Sequence, residues 1–194
     1  MKRVITEADI LDPAEYTRTR AGRRREASAL KRRRRIEVGP YITFYFESYD
    51  TMWLQVHEML HIERGGKAQI PDELAAYNPL IPQGRELVAT FMIEIDDAER
   101  RKRILGGLGG IEETAFIRLG AETVRGVPER DADRTTAEGK ASSVQFVHFP
   151  FTPAQIAAFR DPSVEAVLGL SHREYSHMAV IPPEVRTALA ADFD

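Results

Sequence analysis

The feature that most limits the fold is the order of strand-like and helix-like segments after residue 36. Apolar and polar residues alternate over 36–46, and further strand patterns rich in β-branched or aromatic residues occur at 86–95, 143–149 and 164–170. Helical patterns separate these strands at irregular intervals, without the strand–helix–strand repeat of a doubly wound parallel sheet. The order predicts an α+β fold in which a mainly antiparallel sheet is packed with helices.

A long helical pattern rich in arginine precedes the strands, at residues 13–35. Proline at 13 suits the first helical turn, and the basic run at 31–35 suits the negative end of the helix dipole. Residues 1–36 carry 12 Lys and Arg against 5 Asp and Glu, a net charge of +7, whereas residues 37–194 carry a net charge of −10. We therefore expect a basic helical segment, residues 1–35, to dock on a single α+β domain, residues 36–194, of the same chain or of a second copy.

Composition excludes several classes of protein. The chain has no cysteine, which excludes disulfide bonds, iron–sulfur ligation and thiol catalysis. No apolar run approaches the roughly 20 residues that span a bilayer, and the first 16 residues lack the apolar core of a secretory signal. We expect a cytoplasmic protein that does not bind membranes.

Residues 57–61 read HEMLH, which matches the HExxH motif of zinc peptidases. On a helix, His57 and His61 would share one face and bind zinc, with Glu58 as the general base. Two observations argue against this chemistry. Both histidines lie among the polar positions of the helix, and the extended motif fails because Arg64 and Lys67 stand where it requires glycine and histidine. We predict that the segment is helical and does not bind zinc.

A set of three carboxylates offers another kind of polar site. Glu63 projects near the centre of the apolar stripe of the same helix, so we expect it to be at least partly buried. A buried carboxylate is costly unless it is paired, and an arginine from residues 32–35 is the favoured partner. The alternative is that Glu63, Glu58 and Glu47 form one polar site, in which the carboxylates are ligands of a metal ion.

Four blocks of sequence resemble those of a bacterial family of unknown function. The blocks are 33–63, 77–82 (YNPLIP), 86–95 (ELVATFMIEI) and 142–159, and their order covers nearly the whole chain. Members of that family are often encoded beside rubrerythrin-like proteins and an iron–sulfur oxidoreductase. The resemblance implies a link to non-haem iron or redox metabolism, and a redox or iron protein as partner.

The same resemblance bears on the HEMLH segment. In that family the helix usually reads Gln-Glu-Met-Leu-Arg-Ile-Glu, with glutamates that match Glu58 and Glu63. The resemblance thus implies that His57 and His61 occupy positions without metal ligands, and that Glu47, Glu58 and Glu63 are the more interesting side chains. It supplies no catalytic residue.

The sequence favours an accessory or binding protein of non-haem iron or redox metabolism. The first alternative is a metal-dependent enzyme that uses His57 and His61, or the carboxylates Glu47, Glu58 and Glu63. The second is a nucleic-acid-binding protein that uses the basic helix; the helix lacks interleaved aromatic residues, so nucleic acid is not the favoured partner. No cofactor, substrate or oligomeric state follows from the sequence.

Overall fold

A computed structural model describes residues 2–129 and 140–194. These residues form six α-helices and two antiparallel sheets, so the predicted α+β class with antiparallel pairing is confirmed. The helices are α1 (Pro13–Arg32), α2 (Tyr49–Glu63), α3 (Ile70–Tyr77), α4 (Ala98–Leu105), α5 (Pro153–Arg160) and α6 (Pro183–Ala190). Within the described ranges, none of these helices is both long and apolar enough to cross a membrane.

The strands divide between a five-stranded and a four-stranded sheet, a division that the sequence pattern did not predict. The first sheet has the order β1-β2-β3-β7-β6 and the second the order β5-β4-β8-β9. The strands are β1 (Arg35–Val38), β2 (Ile42–Phe46), β3 (Glu86–Ile93), β4 (Ala115–Leu119), β5 (Glu122–Arg125), β6 (Val127–Pro128), β7 (Val144–Pro150), β8 (Ala166–His172) and β9 (Tyr175–Val180).

The turn at Gly39 and Pro40 closes a hairpin between β1 and β2. Gly39 has a φ of 75°, and a Cβ at this position would lie 2.5 Å from the hydroxyl of Tyr175. That hydroxyl donates a 2.6 Å hydrogen bond to the carbonyl oxygen of Val38. Glycine is therefore required here by backbone conformation and by the close approach of β9.

The main core lies between the two sheets and a second, smaller core lies under α2. Phe44 and Phe91 stack in the main core with ring centroids 4.9 Å apart, and both are fully buried. In the smaller core, Met52 and Val56 of α2 pack with Val88 of β3. Helix α2 is thereby fixed on the first sheet, and it carries the HEMLH segment.

The arginine-rich helix α1 lies along α2 and buries only Tyr16 and Ala27 fully. It ends at Arg32, three residues earlier than the sequence pattern predicted, because the chain then turns into β1. Arg34 points inward, on the buried side that Ile36 and Val38 share. The division into a segment of residues 1–35 and a domain of residues 36–194 stays a prediction.

The inward-facing arginine makes a fully buried ion pair with Asp192, beyond α6. The guanidinium of Arg34 binds both carboxylate oxygens of Asp192 and donates to the carbonyl oxygens of Phe46 and Glu47. The side chains of Arg34 and Asp192 are 5% and 0% exposed. This pair fastens the start of the first sheet to the C-terminal residues of the chain.

His148 of β7 bridges two carboxylates on the surface of the first sheet. Its Nδ1 lies 3.1 Å from Glu86 of β3 and its Nε2 lies 3.0 Å from Glu129. The hydrogen bond to Glu86 is the main reason that the pKa of His148 is raised above its usual value. The protonated imidazole satisfies both carboxylates at once.

We expect the stability that His148 contributes to depend on pH. A raised folded-state pKa means that the contribution is complete below the unfolded value of about 6.5 and is lost as the pH rises through the folded-state pKa. Denaturant unfolding of the wild type and of His148→Gln between pH 5 and 9 tests this. The difference in unfolding free energy should be largest at pH 5; a difference that grows towards pH 9 would contradict the bridge.

Candidate functional site

Helix α2 positions the HEMLH segment between the first sheet and the N-terminal residues. The hydroxyl of Ser48 caps its first turn by accepting the N–H of Thr51. The helix ends at Glu63 because Arg64 adopts the left-handed conformation, with a φ of 58°. The prediction that residues 57–61 are helical is confirmed.

His57 is buried, although the helical wheel placed it among polar positions. Its Nε2 accepts the backbone N–H of Leu11 at 3.0 Å, so the ring proton lies on Nδ1, which donates to the carbonyl oxygen of Trp53 at 2.7 Å. Burial lowers the pKa of His57, which keeps the ring neutral. The wheel was misleading because Leu11 and Tyr16 come from distant sequence and cover this side of α2.

These hydrogen bonds support the prediction that residues 57–61 do not bind zinc. Zinc binding itself is tested by the following experiment, so the statement stays a prediction. Both ring nitrogens of His57 already bind backbone groups, so a metal would have to displace the N–H of Leu11. We expect untagged protein to contain no stoichiometric zinc, and His57→Ala to lower the melting temperature without changing the metal content. Mass spectrometry measures the metal content and thermal unfolding measures the melting temperature. His61→Ala, the other histidine of the motif, is the control. Stoichiometric zinc that is lost in His57→Ala would contradict it.

Glu58 is the carboxylate that anchors the basic helix. It accepts the hydroxyl of Tyr16 at 2.7 Å and two hydrogen bonds from the guanidinium of Arg20 at 2.7 and 2.8 Å, while Arg24 lies at 4.0 Å. The Arg20 hydrogen bonds lower the pKa of Glu58 to about 2. Burial, followed by the hydrogen bond to Glu58, raises the pKa of Tyr16. Glu58 is thus an ionised structural partner between α1 and α2.

Glu47 is buried at the end of β2 and accepts two hydroxyl groups. Its two carboxylate oxygens each lie 2.6 Å from a threonine, Thr51 of α2 and Thr90 of β3. Its backbone N–H also donates to Val88, and its carbonyl oxygen accepts from Arg34. Glu47 therefore ties β2, β3 and α2 together.

The expectation that Glu63 is buried and paired with an arginine of residues 32–35 is wrong. Glu63 is exposed at the last position of α2, where it accepts the side-chain amide of Gln69 at 2.7 Å. The neighbouring Ile62 is 63% exposed as well, so this side of the last turn of α2 is not covered by protein. Carboxylate–guanidinium pairing does occur, but between Glu58 and Arg20, and between Asp192 and Arg34.

The candidate residues thus lie in separate places, with Glu47 after β2 and Glu58 and Glu63 on α2. Glu47, Glu58 and Glu63 each have their own set of hydrogen-bond partners. In the part of the chain that the structure describes, no group of three His, Asp or Glu side chains is arranged to hold a metal ion. His57 and His61 both line a cleft, and unlike the ring of His57, whose two nitrogens bind backbone groups, that of His61 has no hydrogen bond among the described residues.

The cleft has a volume of about 810 Å³ and lies between the N-terminal residues 7–17 and the end of α2. Its apolar lining comes from four residues, Ile10, Leu11, Leu60 and Ile70. The ring of Tyr16 also lines the cleft and contacts that of His61, with centroids 5.9 Å apart. Size and lining are typical of small-molecule sites, which are concave and mainly apolar with a few polar groups.

The two walls of the cleft carry opposite charges. Glu7 and Asp12 stand on the N-terminal wall, and Arg64 and Lys67 on the wall that follows α2. Among the described residues, the side chains of Arg64 and Lys67 have no hydrogen bond or ion pair, whereas Asp12 is used to cap α1. The basic wall therefore offers two cations that are available to a ligand.

Arg64 is unusual because a residue other than glycine occupies the left-handed position after a helix. Glycine is the usual residue there, and a side chain costs about 1 kcal/mol in that conformation. Two glycines follow at once, at 65 and 66. Strain of this kind is concentrated at functional sites. The sequence shows Arg64 only as a break in the zinc motif. It does not show the cleft, whose walls are brought together by tertiary contacts.

Fold and site together define an α+β protein of two antiparallel sheets, with an amphipathic cleft beside the HEMLH helix. The chain belongs to the family described as protein of unknown function DUF3501, whose model matches residues 4–193. This finding agrees with the resemblance of the sequence to an uncharacterised family. A comparison with curated proteins gave no match.

A solved structure supports the fold. The chain is similar to a novel protein of unknown function from Burkholderia pseudomallei K96243, whose crystal structure is known at 1.90 Å resolution. The two sequences are 33% identical, and the match covers 98% of this chain and 100% of that chain with a TM-score of 0.90. The whole architecture is therefore shared, including the elements that form the cleft.

Proposed function

We propose that this chain is a cytoplasmic binding protein whose cleft holds a small molecule with an apolar body and an anionic group. The observation that carries the proposal is the cleft itself, with its apolar lining and the two unpaired cations Arg64 and Lys67 on one wall. The apolar body would lie against Leu60 and Ile70. The anionic group would bind Arg64, whose guanidinium can donate two parallel hydrogen bonds to a carboxylate or phosphate.

Binding fits the geometry better than metal-dependent catalysis at HEMLH. His57 is neutral and engaged with backbone on both sides, and Glu58 is held by Arg20 and Tyr16. A general base must be able to reach its substrate and accept a proton, but Glu58 has a pKa of about 2 and faces α1.

The experiment is a titration that follows the fluorescence of Trp53, the single tryptophan, which stacks on His57 with centroids 3.8 Å apart. The probes are straight-chain carboxylates of 6 to 14 carbons, together with the neutral amides of the same lengths. We expect affinity to rise with chain length and to be about tenfold weaker for the amides, a difference of about 1.4 kcal/mol.

Two variants locate the site. Arg64→Gly removes a cation and relieves the backbone, so it should keep or raise the stability while it weakens carboxylate binding about tenfold. Combination with Lys67→Gln should weaken binding further. The matched control is Arg25→Gln with Arg32→Gln, which removes the same charge from exposed positions on later turns of α1 than Thr17, the last residue of this helix that lines the cleft. Equal loss in the control, or equal affinity for acids and amides, would contradict the proposal.

The proposal includes the link to non-haem iron or redox metabolism that the sequence resemblance implies. A redox or iron protein of that neighbourhood would be the protein partner. Binding of a purified rubrerythrin-like protein, measured by calorimetry with and without the carboxylate probe, tests this part separately. If no binding is measured, the redox link is contradicted and the cleft proposal is unaffected.

A further inference from the structure

Strand β9 is an edge of the second sheet and has a partner on one side only. The backbone N–H of Ile181 donates to the carbonyl oxygen of Ala166, so these two residues form a hydrogen-bonded pair of the antiparallel ladder. Such pairs alternate along an antiparallel ladder, so Ser176, Met178 and Val180 turn their backbone N–H and C=O groups away from β8. Within residues 2–129 and 140–194 the backbone N–H and C=O groups of these three residues have no hydrogen-bond partner, while the sulfur of Met178 accepts from the guanidinium of Arg118 at 3.7 Å.

Apolar side chains line the same edge. Met178 and Val180 are 57% and 62% exposed, and they are neighbours on the outer face of the sheet. The apolar surface continues inward, because the ring of Phe116 lies across Gly169, where a Cβ would be only 2.4 Å from its Cζ. Exposed apolar surface beside an open strand edge is typical of a surface that pairs with another chain.

The strand also lacks the residues that usually prevent an edge strand from pairing with another chain. Over Tyr175–Val180 it has no lysine, no proline and no charged residue. The strand itself therefore brings no like charges together, and the nearby charge is that of Arg118 on β4, whose guanidinium lies against Met178. The three outward residues are also self-complementary, since an antiparallel arrangement centred on Met178 matches Ser176 with Val180 in both directions.

We propose that a second copy of this chain pairs with β9 through antiparallel β9, around a two-fold axis at Met178. The second sheets of the two copies then form one continuous sheet, and the exposed Met178 and Val180 side chains cover one another. The contact area of a six-residue strand is small, so we expect a dissociation constant on the order of micromolar. This inference is independent of the cleft and of its ligand.

The first measurement is the mass in solution by light scattering between 1 and 500 µM. We expect the mass to rise from 21.9 kDa towards that of a dimer. Met178→Lys with Val180→Lys should raise the dissociation constant about 100-fold, because the two-fold axis brings like charges together. Circular dichroism checks that this variant is folded. A chain that is monomeric at every concentration would overturn the proposal, as would a dimer that the lysine variant leaves intact.

The second measurement uses the absence of cysteine in the chain. Met178→Cys should give a disulfide-linked dimer under mild oxidation, because hydrogen-bonded antiparallel pairs place their Cα atoms about 5.5 Å apart, within the range for disulfides. Thr123→Cys, on the opposite edge strand β5 and on the same outer face, is the control. Equal cross-linking of the two variants would show random collision and overturn the register.

Discussion

Replacement of Arg34 by methionine is expected to lower the free energy of unfolding by about 3–5 kcal/mol, the cost of leaving one member of a buried ion pair alone. Asp192 is fully buried, and without the guanidinium its carboxylate loses the cation that binds both of its oxygens, while Arg3 contacts only its backbone carbonyl. The carbonyl oxygens of Phe46 and Glu47 would lose a donor as well. Urea denaturation at pH 7 measures the effect.

The neighbouring residue provides the control for this change. Arg35→Met removes the same charge from the same basic run, but Arg35 is exposed and paired only with exposed Glu37, so the change should be below about 0.5 kcal/mol. The double variant Arg34→Met with Asp192→Leu should recover a large part of the loss, since no charge is left unpaired. A small effect of Arg34→Met alone would contradict the buried pair.

Glu58→Gln is expected to lower the unfolding free energy by about 2 kcal/mol at pH 7, the value of a charge-assisted hydrogen-bond pair. The folded-state pKa of Glu58 is about 2, below its usual value, so its contribution is complete above about pH 4.5 and is lost as the pH falls towards 2. The difference between wild type and variant should therefore shrink over that interval. Chemical denaturation at pH 7, 5, 4 and 3 follows it.

Glu63→Gln is the matched control, because Glu63 lies on the same helix and is exposed. We expect it to change stability by less than about 0.5 kcal/mol at every pH. If Glu63→Gln were the more destabilising of the two, the assignment of Glu58 as the anchor of α1 would fail.

The sequence predicted the strands and helices well because their signals are local. The alternation over 36–46 and the apolar strand at 86–95 are visible in a few adjacent residues, and both are strands. The pairing of β4 with β8 could not be predicted, since Ile117 and Leu168 come together over 51 positions and both sheets have similar patterns. The division of the strands between two sheets was therefore not predicted.

The candidate site was harder to predict because its partners come from distant parts of the chain. A helical wheel of α2 contains only α2, so it could not show that Leu11 binds His57 or that Arg20 binds Glu58. One signal was available and was missed. Arg34 lies two residues before Ile36 in the alternating pattern, which places an arginine on the buried face of a strand.

Residues 5–11 form a strap over the first sheet that belongs to neither sheet nor to a long helix. The side-chain amide of Asn78 binds both backbone groups of Ile5, Trp53 donates to the carbonyl oxygen of Asp9, and His57 accepts from Leu11. Release of this wall of the cleft would break these four hydrogen bonds and expose Ile5, which is buried in the smaller core. Solvent exchange of the Leu11 amide would then report how often the wall is released.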